Sequence, residues 1–114
     1  MKLLFPVLVS SLLCVWSSSV AAARQCFFEQ TVTQVATGYV TAGQVGGPDG
    51  GDAVVFNLSN GTWYQLNNYF NLDLPRGQAL HRTLLAAMAQ RYRVTGYDHY
   101  TPFCDDIDEI VVRP

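Results

Sequence analysis

Three kinds of side chain in this sequence could do chemistry: a pair of cysteines, a pair of histidines and a cluster of acids. Cys26 and Cys104 sit near the two ends of the chain, and a third cysteine, Cys14, lies in the apolar N-terminal segment. If that segment is removed on export, one thiol remains near each end in an oxidising compartment, where the two can join as a disulfide. His81 and His99 are the only histidines. Imidazole titrates near neutrality, so a small hydrolase using His99 with Asp98 or Asp106 is conceivable. A two-histidine nuclease would also need fixed positive charge for phosphate, and only arginines are available to supply it. Asp105, Asp106, Asp108 and Glu109 form the acidic cluster. Calcium takes several carboxylate oxygens, but the spacing does not fit an EF-hand loop and lacks its glycine. The cluster reads as a solvated acidic loop. Zinc needs three or four ligands, and a disulfide would consume the best of them. No metal and no cofactor is expected, and no catalytic constellation stands out.

A second set of residues suits recognition better than catalysis. Trp63, Tyr64, Tyr69, Tyr97, His99 and Tyr100 combine apolar ring faces with polar edges, the combination used to stack on sugars. Tyr64 and Tyr97 also fit a plain packing role. The ligand-binding candidates are therefore Trp63, Tyr97, His99 and Tyr100. Asn57-Leu58-Ser59 and Asn60-Gly61-Thr62 match the N-glycosylation pattern, which has meaning only in a eukaryotic secreted protein.

The N-terminus sets the compartment. Met1-Lys2 is followed by a nearly continuous apolar run over 3–15, three serines, and Ala21-Ala22-Ala23. This is the layout of a secretory signal peptide over 1–23, with cleavage expected after Ala22 or Ala23. The run is short for a membrane span and Pro6 interrupts it. Cleavage before Cys14, as in a lipoprotein, would require a small residue where Leu13 stands. A secreted or periplasmic protein of one domain, 24–114, is expected, with no membrane association after cleavage. That domain carries six arginines, no lysine and nine acids, a net charge of −3. Nucleic acid and anionic membrane both require a concentrated positive field, so both are poor partners. A body this small is marginal on its own, and a disulfide or oligomerisation commonly offsets that.

The elements that must position these residues follow from periodicity. Residues 31–41 are rich in β-branched side chains and read as a strand bent or bulged at Gly38. Residues 43–52 hold five glycines and a proline and read as a mobile loop. Residues 53–58 and 62–66 read as strands joined at Asn60-Gly61 by a type I′ turn. Val54, Phe56 and Leu58 share one face, and Trp63 lies opposite the Tyr64/Leu66 face. Residues 75–91 read as the only helix after the signal segment, with Asp73 as N-cap and Pro75 in the first turn. Leu80, Leu84, Ala87 and Met88 form its apolar stripe. Leu85, Ala86 and Ala89 extend apolar surface past that stripe. Either alanine serves as a helix former here, or the 75–91 helix packs on a neighbouring subunit in a homo-oligomer. Residues 93–97 and 107–113 read as the last strands. A mainly β fold with one helix (α+β), a small five-stranded OB-like barrel with one disulfide, is the expected architecture.

With Cys26, the 53–66 hairpin, the 75–91 helix, the 93–97 strand and Cys104 in this order, the chain resembles the B subunits of pentameric AB toxins, the cholera and heat-labile enterotoxin class. It also looks like small exported bacterial proteins with an alanine-rich helix, a strand, a cysteine and a closing strand, which favours a bacterial source. The resemblance covers nearly the whole mature chain in order of elements. It implies an OB fold, a ring of five with helices lining a pore, and glycan binding. The chain departs from that class where a tryptophan should follow the second cysteine: Asp105-Asp106 stand there, so the sugar site is not carried over. The reading that results is an exported, non-catalytic binding module for a glycan or protein, with ring formation as a toxin B-like subunit implied by the resemblance. The alternatives are a periplasmic interaction or inhibitor protein acting through 43–52 or the acidic segment, and the small hydrolase using His99.

Overall fold

The structure is a computed structural model and describes residues 22–39, 51–66 and 71–114. The signal segment to residue 21, Cys14, the 43–50 part of the glycine-rich loop and Tyr69 lie outside the described residues. Among the described residues, five strands and one helix follow in chain order: β1 (Arg24–Gly38), β2 (Ala53–Leu58), β3 (Trp63–Gln65), α1 (Pro75–Gln90), β4 (Arg93–Asp98) and β5 (Glu109–Arg113). The fold is mainly β with one helix. All strand pairings of the sheet are antiparallel, in the order β3-β2-β1-β4-β5.

β1 is the longest strand, and it begins seven residues earlier than β-branched composition alone implies. Its first half, from Arg24 to Thr31, pairs with β4, and its second half, from Val32 to Gly38, pairs with β2. The changeover is irregular. Register shifts fall between Gln25 and Phe27, between Phe27 and Gln30, and between Val32 and Gln34. Glu29 takes φ 48°, a left-handed conformation that side chains seldom adopt. Its N–H donates to Thr95 Oγ1 at 3.0 Å, across 66 positions of sequence. The bend therefore sits at Glu29 and Thr33 and not at Gly38, which ends the strand with φ 100°. The irregularity at Glu29 has its partner on β4, Thr95, and the one at Thr33 has its partner on β2, Asn57, so a local glycine is not needed for either.

The β2–β3 connection also departs from expectation. A type I′ turn requires positive φ at both Asn60 and Gly61. Only Gly61 has it, at 84°. The Gly61 N–H donates to Leu58 O at 2.8 Å, and Leu58 N–H donates to Thr62 O at 3.1 Å. This is a three-residue loop that ends in a bulge at Gly61. Asn60 Oδ1 accepts from Thr62 N–H at 2.9 Å, so the asparagine acts through its side chain.

α1 starts at Leu74, whose φ −121° and ψ 145° are extended, and no side chain caps it. Asp73 is exposed and is not the N-cap. The segment before the helix folds back so that Leu74 N–H donates to Asn71 O. Gly77 lies against the Asn71 backbone, where a Cβ would collide. That close approach fixes where the first turn begins. At the other end Arg91 takes φ 58° and donates its N–H to Ala87 and Met88 carbonyls, closing the helix. Leu84 and Ala87 are fully buried, with Leu80 and Met88 packed beside them, as the stripe requires.

The core lies between α1 and the sheet. β2 contributes most: Val54, Val55, Phe56 and Leu58 are all buried, so both faces of this strand are covered and not only the Val54/Phe56/Leu58 face. The Phe27 ring meets Phe56 edge-on at 5.9 Å and Tyr64 at 4.9 Å between centroids. The same ring lies over Gly96, and a Cβ there would strike it. An isolated parallel bridge joins Leu66, just after β3, to Ile107, just before β5. Ile107 N–H donates to Gln65 O at 2.8 Å, and both Leu66 and Ile107 are fully buried. The disulfide is present: Cys26 and Cys104 are bonded, with Cα atoms 5.5 Å apart.

Candidate functional site

The chemistry-bearing residues gather where β4 ends. Asp98 is the last residue of β4 and is fully buried. An aspartate at this position can fold the chain over itself by accepting from backbone two residues on. Asp98 Oδ1 accepts from Tyr100 N–H at 3.0 Å, and Oδ2 accepts from Cys104 N–H at 2.7 Å. One carboxylate therefore organises the whole turn up to the disulfide. Burial raises the Asp98 pKa above the ordinary carboxylate value, with Asp108 and Asp105 adding to the rise, while the two backbone hydrogen bonds oppose it. Cys104 itself takes φ 69°, and the Thr101–Pro102 peptide is cis.

His99 is held by a second carboxylate. Its backbone N–H donates to Asp108 Oδ2 at 2.9 Å, and its ring Nδ1 meets Asp108 Oδ1 at 2.5 Å. Nε2 lies 3.4 Å from Glu109 Oε1. The Asp108 side chain is 3% exposed and the His99 side chain 44% exposed. The hydrogen bond to Asp108 raises the His99 pKa above 6.5, with the charges of Asp108, Glu109 and Asp98 acting the same way and partial burial opposing. His81 behaves oppositely: half-buried on α1, it has its pKa lowered by desolvation.

Among the binding candidates, Tyr97, His99 and Tyr100 fall together because they are near neighbours at this strand end. Tyr97 is half-buried and pairs with Gln25 on one side and Glu109 on the other. Tyr100 is 64% exposed. Trp63 is elsewhere, on β3 opposite Asn57, three strands from β4 in sheet order. Tyr64 belongs to the core through its contacts with Phe27 and Phe56, and its hydroxyl donates to Cys26 O at 3.2 Å. The carboxylate partner of His99 is Asp108, not the Asp98 or Asp106 that a hydrolase reading pairs with it.

Among the described residues, Asp98, Asp105 and Asp106 bring one carboxylate oxygen each within 4.8 Å. Asp98 is already committed to two backbone donors, and we read the trio as part of the turn's own folding. The sequence reading missed Asp98 as the organiser. Its signal was visible as an aspartate placed two residues before Tyr100 and ahead of a Thr-Pro pair.

No protein-family model, no curated protein and no solved structure matches this chain.

Proposed function

We propose that this chain is an exported, non-catalytic binding module that recognises a glycan through the Tyr97–Tyr100 end of β4. One observation carries the reading: Tyr100 is 64% exposed while its backbone is pinned to the buried Asp98. An aromatic side chain open to solvent on a fixed backbone has only its two side-chain torsions to lose on stacking against a sugar. His99, Asp105 and Glu109 beside it offer donors and acceptors for hydroxyl groups. Both ring nitrogens of His99 are engaged by carboxylates, Asp108 and Glu109, and a ring held on both sides supports the binding reading over one in which it serves as a free general base.

A closed, OB-type five-stranded barrel is the architecture we propose for the module. Its support is the sharing of β1 between β2 and β4, together with the parallel bridge from Leu66 to Ile107 that links the two ends of the strand order. The proposed likeness to toxin B subunits rests on this order of elements and on the disulfide. Assembly of several copies through α1 is the accompanying reading, and it is favoured by Leu85, which is 40% exposed beside exposed Ala86 and Ala89.

A glycan array followed by titration of any hit tests the reading. Tyr100→Ala should weaken binding about tenfold or more, in the range of an interface anchor, with the melting temperature unchanged. A chain that binds no glycan, but captures an envelope protein through the acidic segment, would replace this reading with an interaction or inhibitor protein. Native mass measurement in solution decides the number of copies.

A further inference from the structure

The strongest unexplained arrangement is the set of contacts around His99, which binding alone does not require. The ring stands at the first residue after β4, and both carboxylates it meets come from the far end of the same loop, Asp108 and Glu109. Between His99 and Asp108 run eight residues that include Tyr100, the cis peptide and Cys104. Asp98 stands below at the end of β4, and Arg24 lies across from it in the β1 ladder. The other charges facing the ring are therefore Asp98, Asp108 and Glu109, all of one sign.

We infer that His99 is a proton-operated latch that ties the start of the 99–108 loop to its end through Asp108 and Glu109. The reasoning lies in the donor inventory of the ring. An imidazolium donates from both nitrogens, so it can serve Asp108 and Glu109 together. A neutral imidazole has one N–H and one lone pair. If Nδ1–H stays on Asp108, the Nε2 lone pair faces the Glu109 carboxylate and repels it. If the proton moves to Nε2, the close contact with the buried Asp108 oxygen becomes one between two acceptors. Losing the proton thus costs one of the two arms in either tautomer. The backbone bond from His99 N–H to Asp108 does not involve the ring proton, so the loop loosens and does not detach when the ring loses it.

The sign follows from the same contacts. His99 holds its proton more tightly in the fold than in an open chain, where the ordinary value is 6.5. The latch is fully set below that value and is released as pH rises through the higher folded value. This inference goes beyond glycan recognition and stands or falls without any ligand.

The test is an NMR pH titration of the oxidised chain, with His81 as an internal control and amide protection over 99–108 corrected for intrinsic exchange. His99 should titrate above His81, and loop protection should fall as His99 loses its proton. In His99→Gln that step should vanish while the core amides keep their protection, and Glu109→Gln should move the step to lower pH. His99 titrating at or below His81 would overturn the latch. So would loop protection that is the same on both sides of the His99 titration. The wild-type measurement decides even if a variant folds poorly.

Discussion

The core between β2 and α1 and the loop over 99–108 are held together in opposite ways. In the core, Phe56, Leu58, Leu84 and Ala87 lose all or nearly all exposure and interact with many neighbours at once. Each contact is weak, non-directional and indifferent to pH. In the loop, a few directed bonds carry the load: two to Asp98, two to Asp108 and one disulfide. A core of the first kind tolerates a swap that conserves volume. A loop of the second kind does not tolerate loss of a single acceptor, because the donors it leaves behind are partly buried. The comparison separates what stabilises the module from what shapes its surface.

Three variants probe that contrast. The largest effect should come from Phe56→Ala, which empties a fully buried ring position between Phe27 and Tyr64. Urea unfolding should show a loss of about 3–5 kcal/mol, while the His99 titration keeps its position if enough folded protein remains. Removing the disulfide with Cys26→Ser and Cys104→Ser should cost about 2–4 kcal/mol by the same measurement. It should also lower amide protection near residue 104 more than at β2. Asp98→Ala should cost about 1–3 kcal/mol by leaving the Tyr100 and Cys104 N–H groups without their acceptor. Its mark should be local: altered Tyr100 and Cys104 amide shifts with the Phe56 region unmoved. An equal disturbance of both regions by Asp98→Ala would erase the distinction drawn here.

Much of the core side was legible in the sequence. The Leu80, Leu84, Ala87 and Met88 stripe gave the helix face and the 53–58 run gave β2, while on the loop side two cysteines in a chain with an export-like start gave the bond between them. These signals are local or nearly so. The beginning of β1 was not legible, because what makes residues 24–30 a strand is β4, some seventy positions away. The N-cap was misread for a related reason: Gly77 packs on Asn71, and that tertiary contact outranks the capping preference of Asp73. At Asn60-Gly61 the dipeptide marked a turn correctly but not its type, since the loop uses three residues and a bulge. Of the candidate site, Tyr97, His99 and Tyr100 come together as expected of near neighbours. Trp63 does not join them, because alternation along β3 says which face it takes but not which strand lies beyond. The pairing of His99 with Asp108 was hidden because the loop's return path depends on Asp98, whose burial the sequence does not announce.

β1 serves two neighbours at once, and this has a consequence for how the chain comes to its final form. Neither the β2–β3 arm nor the β4–β5 arm owns a complete set of partners; each borrows half of the same strand. A fragment ending before residue 93 leaves the front half of β1 with an unsatisfied ladder, and a fragment lacking β1 leaves the two arms without their shared strand and with only the Leu66–Ile107 bridge pairing them. Such a chain has no self-sufficient half, so its ordering waits until nearly all of it has emerged, and it then proceeds as one event dominated by distant pairings.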